Sequence, residues 1–276
     1  QTEINVRDMD PRRFGKWASG DYAIAKSVDE YEQMYQPHLP GEFRDAGRPT
    51  RVTPLYEPLK QAGALYGDTF GWERAKWYAA KGEKENYSFR RNNSFAAVAK
   101  ECKAVRERVG LTDLTSFSKY EVSGKDAQGF LERLCANRVP TKAGGIVLSQ
   151  MLTEKGGIES EATIACLAEN HYYLLSAAVA ELHDFDWLVQ HIQKGEGVSV
   201  TNVTEDFGVL LLTGPLSRDV LSILTETNLG NESGFTWMRA REISVFGIPV
   251  RALRVSYVGE LGWELHCPMP RLAELY

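Results

Sequence analysis

The sequence predicts an α+β fold of two related subdomains, each a sheet with helices on one face, and three observations predict it. A short apolar strand at residues 120–123 meets Gly124 and leads into a helix with Phe130, Leu131 and Leu134 on one side. The same order returns at residues 209–213, Gly214, and Val220, Leu221 and Leu224, so that Ser123-Gly124 aligns with Thr213-Gly214 at matching helical offsets. Each unit is followed by a hairpin-like stretch, residues 162–167 with 172–176 after the first and 242–245 with 250–256 after the second.

Taken in order, residues 1–92 are irregular, because Pro11, Pro37, Pro40, Pro49, Pro54 and Pro58 interrupt long periodicity and few long elements are expected. Trp17, Trp72 and Trp77 lie there with Tyr22, Tyr31, Tyr35, Tyr56, Tyr66 and Tyr78, the composition of a connecting segment that packs its rings against another body. Residues 93–276 form the folded domain. It opens on an amphipathic helix carrying Phe95, Val98, Ala99, Cys102, Val105 and Val109, which Gly110 ends. Pro215 suits the first turn of the second repeat's helix. The Gly214-Pro215 step is a poor anion cradle, since proline removes a donor and neither the dinucleotide fingerprint nor the phosphate loop is present.

Composition sets limits on function. Of 276 residues, 43% are hydrophobic and 25% charged, enough apolar material for a sizeable core. A net charge of -5 with scattered basic residues argues against nucleic acid, and no apolar run is long enough to suggest a membrane span. Cys102, Cys135, Cys166 and Cys267 form no Cys-x-x-Cys pair, so no metal site is expected and the thiols read as reduced and buried. That usage fits a cytoplasmic or mitochondrial-matrix compartment. The opening Gln1-Thr2-Glu3 and the closing residues 271–276, a helix barely begun, read as cuts through a longer protein.

Two segments set carboxylates and glycines inside apolar strands, a local conflict that marks a place to look for chemistry. In residues 156–164, alternation puts Glu159, Glu161 and Thr163 on one face and Ser160 and Ala162 on the other. In residues 257–266, Gly259 and Gly262 shape a turn after Tyr257, and Glu264 stands on the strand that follows, where its two oxygens suit a ligand with adjacent N–H donors. His266 shares a face with Glu264. The two read as an acid/base pair or as two exposed side chains on an ordinary strand, and the other glutamates are equally compatible with simple exposure.

Residues 257–264, Tyr-Val-Gly-Glu-Leu-Gly-Trp-Glu, resemble the signature of the aminomethyltransferase (glycine cleavage T-protein) superfamily, and Gly156-Gly157-Ile158 followed by acids resembles its other folate segment. Residues 109–119 are similar to the start of that domain. Residues 10–17, Gly47-Arg48-Pro49 and residues 70–74 resemble the central segment of dimethylglycine and sarcosine dehydrogenases, flavin-dependent amine demethylases. The resemblance implies a T-protein-like fold and a cofactor, tetrahydrofolate, held by Tyr257 and Glu264 with Leu265 and His266 beside them. It places Glu161, Ala162 and Thr163 by the reactive folate nitrogens, with Glu161 as general base. The family pattern usually has Asp there, and Glu161 adds a methylene.

The resemblance further implies FAD in a separate flavin domain of the same full-length chain, absent from these 276 residues. That domain would oxidise a small methylated amine to an iminium whose carbon is captured as 5,10-methylenetetrahydrofolate. Two alternatives stand beside this reading: a folate-binding scaffold without transfer, and a glycine cleavage aminomethyltransferase acting on a lipoyl carrier.

Overall fold

The computed structural model describes Met9 and residues 11–276. Gln1, Thr2, Glu3 and Asp10, which the sequence singled out, lie outside the described residues. The chain divides into two compact units, Gln1–Lys100 and Glu101–Tyr276. The division falls within a helix, later than the change at 92/93 suggested by proline spacing.

The first unit holds more regular structure than its prolines suggest. Helix α1 (Gly20–Glu32) forms in the proline-free stretch between Pro11 and Pro37, and the Ser19 hydroxyl caps it by accepting the Tyr22 N–H at 3.3 Å. After α2 (Tyr56–Gln61), strands β1 (Ala64–Thr69) and β2 (Trp72–Tyr78) make an antiparallel hairpin. It turns through Phe70 and Gly71, both at positive φ, and a Cβ at Gly71 would strike the Trp17 ring at 2.5 Å. Trp72 and Trp77 are buried, whereas Tyr31 and Tyr35 are exposed.

Helix α3 (Ser94–Glu107) carries the boundary. None of its residues is buried, and Cys102 is exposed, so the expected set of four buried thiols holds for Cys166 and Cys267, with Cys135 half-buried. Gly110 does not end this helix, which stops at Glu107; it opens strand β3 (Gly110–Asp113).

The second unit then runs β4 (Ser118–Ser123), α4 (Ala127–Leu134), β5 (Ile146–Leu152), β6 (Ile158–Ala168), β7 (His171–Ser176), α5 (Glu181–Gln190) and β8 (Ser199–Asn202). It continues with β9 (Phe207–Thr213), α6 (Ser217–Leu224), β10 (Arg239–Val245), β11 (Ile248–Arg254), β12 (Gly262–Pro268) and α7 (Leu272–Leu275). The strands form two antiparallel five-stranded sheets, ordered β5-β6-β7-β4-β8 and β10-β11-β12-β9-β3. The two orders superpose strand for strand, with β4 matching β9 and β7 matching β12. The edge position beside β4 is filled by β8 and the one beside β9 by β3, a strand that precedes the first repeat.

The glycine that aligned the repeats in sequence has the same backbone in both, φ 120 at Gly124 and φ 123 at Gly214. At Gly214 a Cβ would meet the Arg108 and Val105 carbonyl oxygens at 2.6 and 2.7 Å, and at Gly124 it would run into the Gly197 carbonyl. Only glycine fits a strand-to-helix step this tight.

Packing divides each sheet into a helix side and an inner side. Under α4 and α5, Phe130, Leu131, Leu134 and Leu188 close on Tyr120, Val122, Ala162, Ile164, Cys166 and Leu174. On the other side, Ile146, Ala165, Tyr173 and Leu175 of the first sheet pack with Ala240 and Leu253 of the second. The candidate site lies on these facing inner surfaces.

Candidate functional site

Register fixes which side chains reach the inner surfaces. Ala165 pairs with Tyr173 and Thr163 with Leu175, so Thr163 and, two residues earlier, Glu161 share the inner face of the first sheet. Glu161 is exposed there and accepts a 2.7 Å hydrogen bond from the Gln150 side-chain amide. Glu159 does not join them: its carboxylate lies 2.7 Å from His183 Nε2, whose Nδ1 is 2.8 Å from Asp184. A shift of register in β5 at Met151/Leu152, opposite this end of β6, breaks the simple alternation. Ala162 points to the helix side, 3% exposed, so its side chain lies in the core and only its backbone borders the inner face.

In the second sheet Leu253 pairs with Glu264 and Arg251 with His266, putting all four on the inner face. Leu265 lies between them on the opposite face and is buried, so its side chain is also turned away from Glu264. Both glycines of the preceding loop have mechanical reasons. Gly259 turns at φ 83, and a Cβ at Gly262 would press on the Leu212 carbonyl at 2.7 Å. The loop is fastened to the repeat's glycine step, since the Leu261 carbonyl accepts the Gly214 N–H at 2.8 Å and the Ser217 hydroxyl at 3.1 Å, while Arg106 pairs with Glu260. Tyr257 stands fully exposed on this loop. The structure thus unites Glu264 with His266 and leaves Tyr257 apart from them.

A polar chain runs between the sheets. Tyr173 Oη is 3.1 Å from His266 Nδ1, and His266 Nε2 is 3.3 Å from Glu264 Oε2. His266 is 1% exposed, whereas the Glu264 side chain keeps 24% of its surface open. Burial lowers the affinity of His266 for a second proton; the Glu264 hydrogen bond opposes this, and the positive charges of Lys119 and Arg251 reinforce it. Burial also raises the Tyr173 hydroxyl well above the usual phenol range, keeping it protonated as a donor.

Arg251 buttresses this chain, with its guanidinium 5.0 Å from the Tyr173 ring centre and 4.4 Å from that of Phe207. It donates to Glu121 at 2.7 Å, and His171 approaches the other Glu121 oxygen at 3.0 Å. Burial pushes the Glu121 carboxyl up, but these two hydrogen bonds outweigh it and hold Glu121 below the usual range. Lys119 is buried, donating to the Thr115 and Phe117 carbonyls at 2.7 Å each. Sequence reasoning missed Tyr173, Arg251, Glu121 and Lys119. Their signal was a polar residue recurring on the inner phase of an otherwise apolar strand, and it becomes readable only with the pairing.

This arrangement, two repeated sheets with a carboxylate at the end of a Gly-x-x-Gly turn, belongs to a defined class of domain. Residues 55–276 match the GCVT N-terminal domain, and the chain belongs to that family. Residues 1–53 match the FAD dependent oxidoreductase central domain. The chain is 38% identical over 99% of its length to mitochondrial dimethylglycine dehydrogenase of Mus musculus, covering 32% of that protein. It is 31% identical over 94% of its length to a formaldehyde-forming 4-methylaminobutanoate oxidase of Paenarthrobacter nicotinovorans, covering 31% of it. Among solved structures, aminomethyltransferase T of the glycine cleavage system from Bartonella henselae matches with a TM-score of 0.66 at 27% identity, over 82% of this chain and 56% of that one. The chain spans about a third of the length of the curated relatives it matches. The α+β, T-protein-like fold expected from the sequence is the fold observed. No helix among the described residues is long and apolar enough to cross a membrane.

Proposed function

We propose that this chain binds tetrahydrofolate between its two sheets and serves the capture of a one-carbon unit released by oxidation of a small methylated amine. The observation that carries this reading is Glu264. It is a partly open carboxylate beside a buried imidazole, with Oε1 making no hydrogen bond to the described residues, so it can accept a pair of adjacent N–H donors. The pterin ring of a folate presents such a pair, and the donor set therefore fits the group. Bound folate supplies the nucleophilic nitrogens that take up the carbon. Glu264 would bind and orient the ring; Thr163 and Glu161 would line the opposite wall, where Glu161 Oε atoms can take up the proton a nitrogen loses. Tyr257, on the exposed loop, would close over the ring, with the backbone of Ala162 and Leu265 flanking it.

The match to an oxidoreductase central domain and the two amine-oxidising relatives support the amine half of the reading. FAD would be held by a flavin domain of the same protein outside these residues, in a mitochondrial matrix or bacterial cytoplasm.

The fate of the carbon tests the proposal. In the protein carrying its flavin domain, supplied with dimethylglycine and tetrahydrofolate, we expect 5,10-methylenetetrahydrofolate; with Glu161→Gln we expect the carbon to escape as formaldehyde while amine oxidation and folate affinity hold. Removal of a positioned proton acceptor should cut transfer roughly 100-fold or more. Equal methylenetetrahydrofolate output from the variant contradicts the catalytic role and favours a folate-binding scaffold.

A further inference from the structure

Tyr173 and Glu264 occupy equivalent places in the two sheets. Tyr173 pairs with Glu121 on β4, and Glu264 pairs with Leu211 on β9, positions that coincide when Gly124 is laid on Gly214. The repeat therefore sets a phenol and a carboxylate at the same register on facing surfaces, and His266 stands between them with a nitrogen toward each.

Proton bookkeeping on this chain has one solution. A carboxylate only accepts, so Nε2 must carry a hydrogen to bond Glu264. A neutral imidazole carries one hydrogen, so Nδ1 is a bare acceptor and takes the O–H of Tyr173. The opposite tautomer would set the Nε2 lone pair against the carboxylate. A doubly protonated ring could donate Nδ1–H to the Tyr173 oxygen but would place a further positive charge in a buried site flanked by Lys119 and Arg251.

We propose that Tyr173 and His266 are positioning residues that order the ligand-binding carboxylate, with Tyr173 holding the His266 ring through Nδ1 and His266 Nε2–H fixing Glu264 Oε2. This deepens the folate reading and rests on it. The bond occupies one acceptor site of Oε2 and turns the remaining acceptors of the carboxylate toward the open side. The site then selects ligands whose edge offers two N–H donors, and it rejects an edge that offers an acceptor, which would face uncompensated carboxylate lone pairs. Tyr173 of the first sheet thereby acts on the binding group of the second without itself touching the ligand.

The test uses the whole 276-residue chain, 5-formyltetrahydrofolate as the stable probe, and two readouts. Nitrogen-15 NMR of the His266 ring reports the tautomer with no ligand present, and calorimetry reports affinity. We expect Nε2–H in the wild type, the same tautomer with a displaced Nδ1 resonance in Tyr173→Phe, and about 10-fold weaker probe binding in that variant, the loss of roughly one hydrogen bond. His266→Gln, whose amide can both accept from Tyr173 and donate to Glu264, should bind within about 3-fold of wild type, while His266→Leu should lose at least 10-fold. Thermal unfolding of each variant confirms that it is folded. Equal affinity in folded Tyr173→Phe, or an Nδ1–H ring in the wild type, overturns the positioning role alone. A wild-type chain with the Nε2–H tautomer that takes up no probe overturns the folate reading and the positioning role with it.

Discussion

The two sheets of the second unit repeat one another in strand order, in the tight glycine step and in the hairpin that follows, yet their inner faces carry different chemistry. Thr163 in the first sheet stands where Arg251 stands in the second, because each is paired with the corresponding strand at the same register, Leu175 and His266. Tyr173 likewise stands where Glu264 does. What is repeated is what backbone geometry demands: a residue with φ near 120 packed against carbonyl oxygens has one solution, and both halves use it. What differs is the set of polar groups on the surfaces that meet. The difference teaches that the repeat supplies the frame, and that the candidate site lies where the two halves differ.

The sharpest way to break the comparison is at the glycines. Gly124→Ala and Gly214→Ala each force a Cβ into backbone oxygen at a left-handed φ, and each should destabilise the chain by about 3 kcal/mol in urea unfolding. A marked asymmetry between the two would show that the halves share topology without sharing the mechanical role of the step.

A smaller effect separates the halves by pH. Only the second sheet sets a buried histidine on its inner face, at the place where the first has Leu175. The folded protein holds His266 below its ordinary value of 6.5, whereas the unfolded chain regains that value. Between the two the unfolded state binds the extra proton, so stability is fully present above about pH 6.5 and is lost as pH falls through the lowered folded value. Glu264 opposes this trend and Lys119 and Arg251 reinforce it. The melting temperature should therefore fall from pH 7 toward pH 5, and less steeply in His266→Gln; identical slopes would remove His266 as the cause.

Much of this frame was legible in sequence because strand, glycine and helix recur at a fixed offset, a pattern that survives without knowledge of pairing. Glu161, Thr163, Glu264 and His266 were placed on shared faces by alternation alone, which holds along an unbroken strand. Alternation failed at Glu159, near the register shift in β5, where the side chain meets His183 instead. It also could not show that Ala162 and Leu265, neighbours of site residues in the chain, face the cores behind their sheets. Helix α1 escaped notice because counting prolines across residues 1–92 obscured the one long gap between them. Tyr173 was invisible because its meaning depends on a strand of the other sheet, and that relation is set by tertiary packing.

Titrating tetrahydrofolate into the chain and into Glu264→Gln tests the central claim most directly. The account predicts that wild type binds, and that the variant, which replaces a charged double acceptor with a neutral group offering one acceptor and one donor, binds roughly 10- to 100-fold more weakly. Equal binding by the two proteins would contradict the placement of the folate against Glu264.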